Sequence, residues 1–360
     1  MDLDKLLARG VLPDLLLRKG VQWLVKKRIK KQNKLSIEAR FNYLFNFIEK
    51  IKQQPIAVKT EEANEQHYEL PPAFFENILG KNLKYSCCLW SDNIRTKKLL
   101  KQNNLSERLN QAEEKMLGLT ANRAEIKNDQ DILDLGCGWG SLSFYLAKNY
   151  PDSRVVSLSN SKLQIDYINQ LAEKRGLSNL KAIKADINDF ETESKFDRVV
   201  SIEMFEHMRN YQKLMKKISN FLKENGKLFV HIFSHKFYPF TYQNSKNTDW
   251  MTRYFFSGGT MPSQDLLHYF TDKLSLKKQW AVSGIHYQKT LEVWLKIMDQ
   301  KKNSIYPILE QTYGIDNAEK WWNYWRLFFI STAEFFGIKE GNEWFISHYL
   351  FQKRDKQTFN

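Results

Sequence analysis

The sequence predicts an α/β fold: a mostly parallel, doubly wound sheet with an antiparallel edge strand, a helical N-terminal extension, and C-terminal insertions that are helical and aromatic. Three observations carry this. Between residues 132 and 232 short apolar runs alternate with helical stretches, the first of those runs ends in a glycine-rich turn, and the first sixty residues contain no strand-like run. Strands separated by helical crossovers imply parallel pairing. The 360 residues are 42% hydrophobic and 14% aromatic, enough apolar material for a sizeable core, which excludes wholesale disorder.

Residues 1–60 read as a basic helical extension, and residues 61–360 as one α/β domain. The first sixty hold 14 Lys/Arg against 5 Asp/Glu, so most of the chain's net +14 lies there. The run Lys26-Lys27-Arg28-Ile29-Lys30-Lys31 follows an apolar stretch with Leu15, Leu16, Leu17, Trp23 and Leu24. Such a segment suits either a solvated helix packed on its own domain or peripheral contact of residues 1–35 with an anionic membrane. No run reaches the roughly 18 apolar residues of a membrane span. The opening Met1-Asp2-Leu3-Asp4 has no cleavable apolar core. The three cysteines, Cys87, Cys88 and Cys137, cannot form a disulfide framework. A cytoplasmic location, with peripheral membrane contact as an option, is the expectation.

The strands expected are Ile132–Leu135, Val155–Leu158, Ala182–Ala185, Arg198–Ile202 and Leu228–Ile232, with helices over 140–149, 162–175 and 210–224 between them. Aromatic residues crowd the chain beyond 235, and Trp344–Phe351 is expected to return as the antiparallel edge strand.

The strongest local signal is Asp134-Leu135-Gly136-Cys137-Gly138-Trp139-Gly140. Glycines let the backbone turn sharply after a strand and approach a ligand closely, and the helix that follows points its positive end at an anionic group. The spacing resembles the first motif of Rossmann-like S-adenosylmethionine (SAM) methyltransferases of class I. Ligands of open α/β sheets bind at the carboxyl ends of the strands. After the second strand Asn160 and Gln164 stand where an acid usually holds ribose, and both can bond hydroxyls. After the third, Asp186 can accept from an adenine amino group and Ile187 can pack on the ring.

Further motifs follow in order: Glu69-Leu70-Pro71, Leu83–Cys88, Glu203-Met204-Phe205-Glu206-His207-Met208, Thr252–Ser263, Tyr324-Trp325-Arg326 and Gly341–Trp344. Over about residues 61–353 the chain resembles the cyclopropane-fatty-acyl-phospholipid synthase superfamily, and within it the coclaurine N-methyltransferase branch. The resemblance implies a SAM-dependent methyltransferase. It places Tyr85 and Ser86 beside the methionine moiety and carries Gly136, Gly138, Gly140, Asn160, Gln164, Asp186 and Ile187 over as cofactor contacts. It also implies catalytic roles for Glu203, Glu206 and His207.

Methyl transfer is an in-line displacement, and an ammonium must lose its proton before its nitrogen can attack. A carboxylate after the fourth strand could take that proton, so a Glu206→Gln variant is expected to keep SAM and lose transfer. The expected function is methyl transfer to the nitrogen of a small amine. The alternative is cyclopropanation or methylation of unsaturated phospholipid acyl chains with bound bicarbonate as base. The superfamily's bicarbonate site resembles Cys87, Glu206, His231 and Tyr287, all retained. Glu203 favours the amine, because the lipid enzymes typically carry glycine there. The family's cysteine near the C-terminus aligns with Phe329, which rules out covalent catalysis at that position. A nucleic-acid partner is disfavoured, since Ser201-Ile202-Glu203-Met204 lacks the Asn-Pro-Pro-aromatic signature. The seven histidines show no ligand spacing among the cysteines, so no metal is expected. A homodimer is compatible with all of this.

Overall fold

The computed structural model describes residues 3–58, 70–91, 94–242 and 250–354. Glu69 and the expected boundary at 60/61 lie outside them.

Three helices open the chain, α1 (Leu3–Ala8), α2 (Asp14–Gln32) and α3 (Ile37–Lys52). The short α4 (Pro72–Ile78) and α5 (Thr96–Leu99) precede the long α6 (Leu105–Arg123). Strands and helices then alternate through β1 (Asp131–Leu135), α7 (Ser141–Asn149), β2 (Arg154–Ser159), α8 (Lys162–Lys174) and β3 (Leu180–Lys184). Next come β4 (Phe196–Ile202), α9 (Tyr211–Phe221) and β5 (Leu222–His235). The two-residue strands β6 (Phe240–Thr241) and β7 (Thr260–Met261) pair with each other and bracket α10 (Trp250–Tyr254). The chain closes with β8 (Leu274–Val282), α11 (Gly284–Gln300), α12 (Lys302–Tyr313), α13 (Ile315–Gly337) and β9 (Trp344–Lys353). These elements form two compact units, one drawn from residues 1–40, 70–115 and 283–345, the other from 41–69, 116–282 and 346–360.

The second unit holds a seven-stranded sheet in the order β3-β2-β1-β4-β5-β9-β8. Pairs from β3 to β5 are parallel, and β8 runs antiparallel to β9. The five predicted parallel strands and the helices between them therefore stand within a few residues of their expected bounds, except that β5 is much longer. Leu133, Val156, Val199, Leu228 and Val230 face a core completed by Leu44, Phe47, Ile48 and Ile51 of α3. Each such side chain contributes roughly 1.5–3 kcal/mol by leaving water. The C-terminal half of α3 is thus part of the core, not an appendage.

One expectation needs correction. Trp344–Phe351 does form an antiparallel strand, but it lies between β5 and β8, and β8 is the edge. Residues Trp344 to Leu350 of β9 are all buried, as a continuously apolar interior strand should be. β8 instead exposes Lys277, Lys278 and Gln279 and carries a register shift between Leu276 and Lys278. Charge and irregularity protect a sheet edge from unwanted pairing, and they also hide the strand from hydropathy.

The first unit is helical. Helix α2 buries Val25 and Ile29 and is anchored by Arg18, which donates to both Glu292 of α11 and Glu334 of α13, while Gln22 donates to Glu334 at 2.6 Å. Its outer side leaves Leu15, Leu16, Trp23 and Leu24 exposed, with Lys27 over the Trp23 ring at 4.9 Å. The helix therefore has no single apolar stripe. Among the described residues no helix is long and apolar enough to cross a membrane.

Candidate active site

The sheet order reverses between β1 and β4, which opens a crevice at their carboxyl ends. The turn from β1 into α7 sits there. Gly136, Gly138 and Gly140 have φ of 82°, 52° and 81°, a left-handed region that a side chain resists. A Cβ on Gly136 would lie 2.5 Å from Met204 Cγ, and one on Gly140 would lie 2.8 Å from Ile168 Cγ1. A Cβ on Gly138 would meet nothing within 4 Å. The outer two glycines admit neighbouring side chains, whereas the middle one faces open space.

Beneath the turn Asp134 is fully buried and accepts from Ser143 Oγ at 2.6 Å, and Ser143 Oγ in turn accepts from Ser157 Oγ at 2.7 Å. Burial pushes the Asp134 carboxyl up to about 7 against those bonds. The folded protein therefore keeps a proton that the unfolded chain releases above its ordinary value near 4, and raising the pH across that window favours unfolding. Urea unfolding should show wild-type stability falling between about pH 4 and 7 relative to an Asp134→Asn variant. Parallel curves would contradict the shift.

After β2, Asn160 is half-buried and Ser161 caps α8 by accepting from the Gln164 backbone N–H. Gln164 is buried, with Oε1 accepting from Ser159 Oγ at 2.7 Å and Nε2 left without a partner among the described residues. After β3, Asp186 Oδ1 accepts from the Asn188 backbone N–H at 2.8 Å and Ile187 is buried. An orphaned amide donor and an unfilled space over Gly138 fit a ligand that carries hydroxyls and lies along this turn, as SAM would.

Past β4 the chain turns sharply. Glu203 itself adopts φ 47°, and its N–H donates to His231 O at 2.8 Å. The side chain of the next residue, Met204, fills the space that Gly136 leaves. Glu206 and His207 share one 3₁₀ turn, Phe205–His207. Glu206 Oε1 makes a 3.5 Å contact with the Phe233 N–H, and its Oε2 has no hydrogen-bond partner among the described residues. Burial, and then the charge of Glu203, hold the Glu206 carboxyl well above the usual range, so it is a neutral acid. His207 is pushed down to about 4 by burial, against the pull of Glu203, and stays a neutral imidazole. Its ring stacks on Phe256 at 5.3 Å, and Phe256 also meets Tyr242 at 4.7 Å and Phe233 at 5.6 Å. Glu203 Oε1 meets His231 Nε2 at 3.1 Å. The two acids thus differ in their surroundings: burial holds Glu206 toward its neutral form, and Glu203 is bonded by an imidazole.

Tyr85, Ser86, Cys87 and Tyr287 belong to the other unit. Tyr85 packs between Trp294 at 5.6 Å and Phe75 at 5.2 Å, and Tyr287 lies on Phe336 at 4.6 Å. The buried Lys84 donates to Ser86 Oγ at 2.5 Å and to Cys87 O at 2.8 Å. The Cys88 N–H donates to Thr290 Oγ1 at 3.2 Å, tying the segment to α11. Phe329 is buried in α13.

Sequence reasoning did not single out Lys84, the Asp134–Ser143–Ser157 chain, or His348 and Arg123, which continue the bond from His231. Asp134 was legible as the acid ahead of the first glycine. His348 was not, because 117 residues separate it from His231.

The family model of mycolic acid cyclopropane synthetase matches residues 57–342. An (S)-coclaurine N-methyltransferase of Thalictrum flavum subsp. glaucum is 36% identical over 358 residues, 98% of this chain and 96% of that protein. The cyclopropane-fatty-acyl-phospholipid synthase of Escherichia coli (strain K12) is 28% identical over 232 residues, 64% of this chain and 54% of that one. The crystal structure of coclaurine N-methyltransferase bound to N-methylheliamine and SAH superposes with a TM-score of 0.91 at 34% identity, covering 98% of this chain and 99% of that one. With a SAM-type glycine turn and an acid turn beside it, the chain belongs to the mycolic acid cyclopropane synthetase family and is a SAM-dependent methyltransferase.

Proposed function

We infer that the protein methylates the nitrogen of a small amine, with Glu203 as the carboxylate that takes the amine's proton. The supporting observation is the split between the two acids: Glu206 is held neutral by burial, while Glu203 is bonded by an imidazole. When bound, SAM supplies the electrophilic methyl group. An N–C bond forms as the S–C bond breaks, the S–C electron pair goes to sulfur, and the nitrogen's proton goes to Glu203. The neutral Glu206 can orient the amine by hydrogen bonding without adding a second negative charge. The Phe233, Tyr242 and Phe256 rings beside His207 suit a flat or cationic amine, for which each ring face contributes about 0.5–2 kcal/mol. The lipid alternative is less well served. Both nitrogens of His231 are engaged, by Glu203 at 3.1 Å and by His348 at 2.9 Å, so bicarbonate would have to displace one of them.

The outer side of α2, with Leu16, Trp23 and Leu24 among lysines, suits peripheral contact with an anionic membrane independently of the acceptor. One experiment separates these possibilities: methyl-labelled SAM offered with a panel of amines, coclaurine among them, and with vesicles of unsaturated phosphatidylserine and phosphatidylcholine. Label should enter amines, and the protein should sediment with the anionic vesicles without labelling their acyl chains. Label confined to lipid would overturn amine transfer, and absence of sedimentation would remove the membrane contact.

A further inference from the structure

The bond from Glu203 to His231 is the end of a longer buried chain. His231 Nδ1 meets His348 Nε2 at 2.9 Å, and His348 Nδ1 meets Arg123 Nη1 at 2.8 Å. Both imidazoles are fully buried, His231 on β5 and His348 on the neighbouring β9. Arg123, at the C-terminal end of α6, lies over the Trp280 ring at 5.0 Å.

A guanidinium has only donors and does not deprotonate in proteins. His348 Nδ1 must therefore accept, which leaves its single proton on Nε2. That N–H points at His231 Nδ1, which must accept in turn, so the proton of His231 sits on Nε2 and points at Glu203 Oε1. A cationic imidazole at either place would set two donors face to face across less than 3 Å. Only one arrangement of protons satisfies all three bonds.

We propose, resting on amine transfer as the function, that Arg123 and His348 are positioning residues whose fixed hydrogen-bond polarity obliges His231 to donate to Glu203 and so keeps that carboxylate ionised and aimed. The chain ends on a residue that cannot accept, so it is not a route for protons to leave. Oε1 of Glu203 is the oxygen that accepts from His231. Glu206 and His207 of the following turn also interact electrostatically with Glu203. His348 faces His231 and Arg123, with the edge of Phe229 at 5.1 Å.

Ring-nitrogen chemical shifts of ¹⁵N-histidine-labelled protein test the arrangement without substrate, the two rings being assigned by their loss in His231→Asn and His348→Asn. Both rings should be neutral Nε2–H tautomers at pH 7, and an Nδ1–H tautomer or a cation at either would overturn the proposal. In the assay with amine, Arg123→Leu should lower kcat at least tenfold, leave KM for SAM within twofold, and move the acidic limb of the pH profile upward. Arg123→Lys, which restores a charged donor, should recover most of the loss. An Arg123→Leu enzyme with unchanged kcat and pH profile would equally overturn the proposal. If Arg123→Leu does not fold, the wild-type tautomers decide alone. Label found only in lipid would remove amine transfer while leaving the tautomers readable.

Discussion

Replacing Glu203 with Gln is expected to slow amine methylation by roughly 10²–10⁴-fold, the range that a positioned base contributes. SAM affinity, measured by calorimetry, should change by no more than a few fold, because the turn proposed to hold the cofactor lies between β1 and α7. Glu206→Gln should cost less. Its carboxyl is already neutral, so an amide of the same shape loses one donor hydrogen and no charge. This reverses the order expected from sequence, which gave Glu206→Gln the loss of transfer. The backbone adds a second outcome. Glu203 holds φ 47°, a conformation that costs a side-chain-bearing residue about 1 kcal/mol and glycine almost nothing. Glu203→Gly should abolish transfer, and because it leaves the buried His231 Nε2–H without its acceptor, the relieved strain is offset and the urea midpoint should not rise. A Glu203→Gln loss below tenfold would place the base elsewhere.

Alanine at the glycines of the cofactor turn should divide into two classes. Gly138→Ala adds a Cβ to open space, so the protein should fold with only the left-handed penalty of about 1 kcal/mol. SAM affinity should nevertheless fall at least tenfold, since the methyl group would occupy the ground where the ligand passes the backbone. Gly140→Ala instead drives a Cβ to 2.8 Å from Ile168 Cγ1 and 3.0 Å from Phe144 Cε2. Overpacking costs about 1–3 kcal/mol in addition to the strain, so this variant should lose stability first. Thermal unfolding together with calorimetry distinguishes the two. Wild-type SAM affinity in Gly138→Ala would show that the turn is not the cradle.

Much of this was open to reading along the chain. The alternation of Ile132–Leu135, Val155–Leu158 and Arg198–Ile202 with amphipathic helices announces a parallel sheet, because buried strands between crossovers must be apolar on both faces. The turn at Gly136–Gly140 suggests a ligand site because close approach of backbone to ligand demands glycine. The edge strand β8 escaped because the lysines that guard an edge also dilute its hydropathy. The neutral state of Glu206 escaped because desolvation belongs to the surroundings: the same Glu-Met-Phe-Glu-His run in water would carry two ordinary carboxylates.

The sequence by itself determined the glycine turn, the order of strands and helices, and the acids that follow β4, since each depends on neighbours within a few residues. Only the tertiary structure decided that burial holds Glu206 toward its neutral form and that His231 bonds Glu203. Those properties arise when β5 and β9 lie side by side and bring His231 and His348, 117 residues apart, within 2.9 Å under the donor of Arg123. Protonation depends on what surrounds a group in space, and spacing along the chain does not record that.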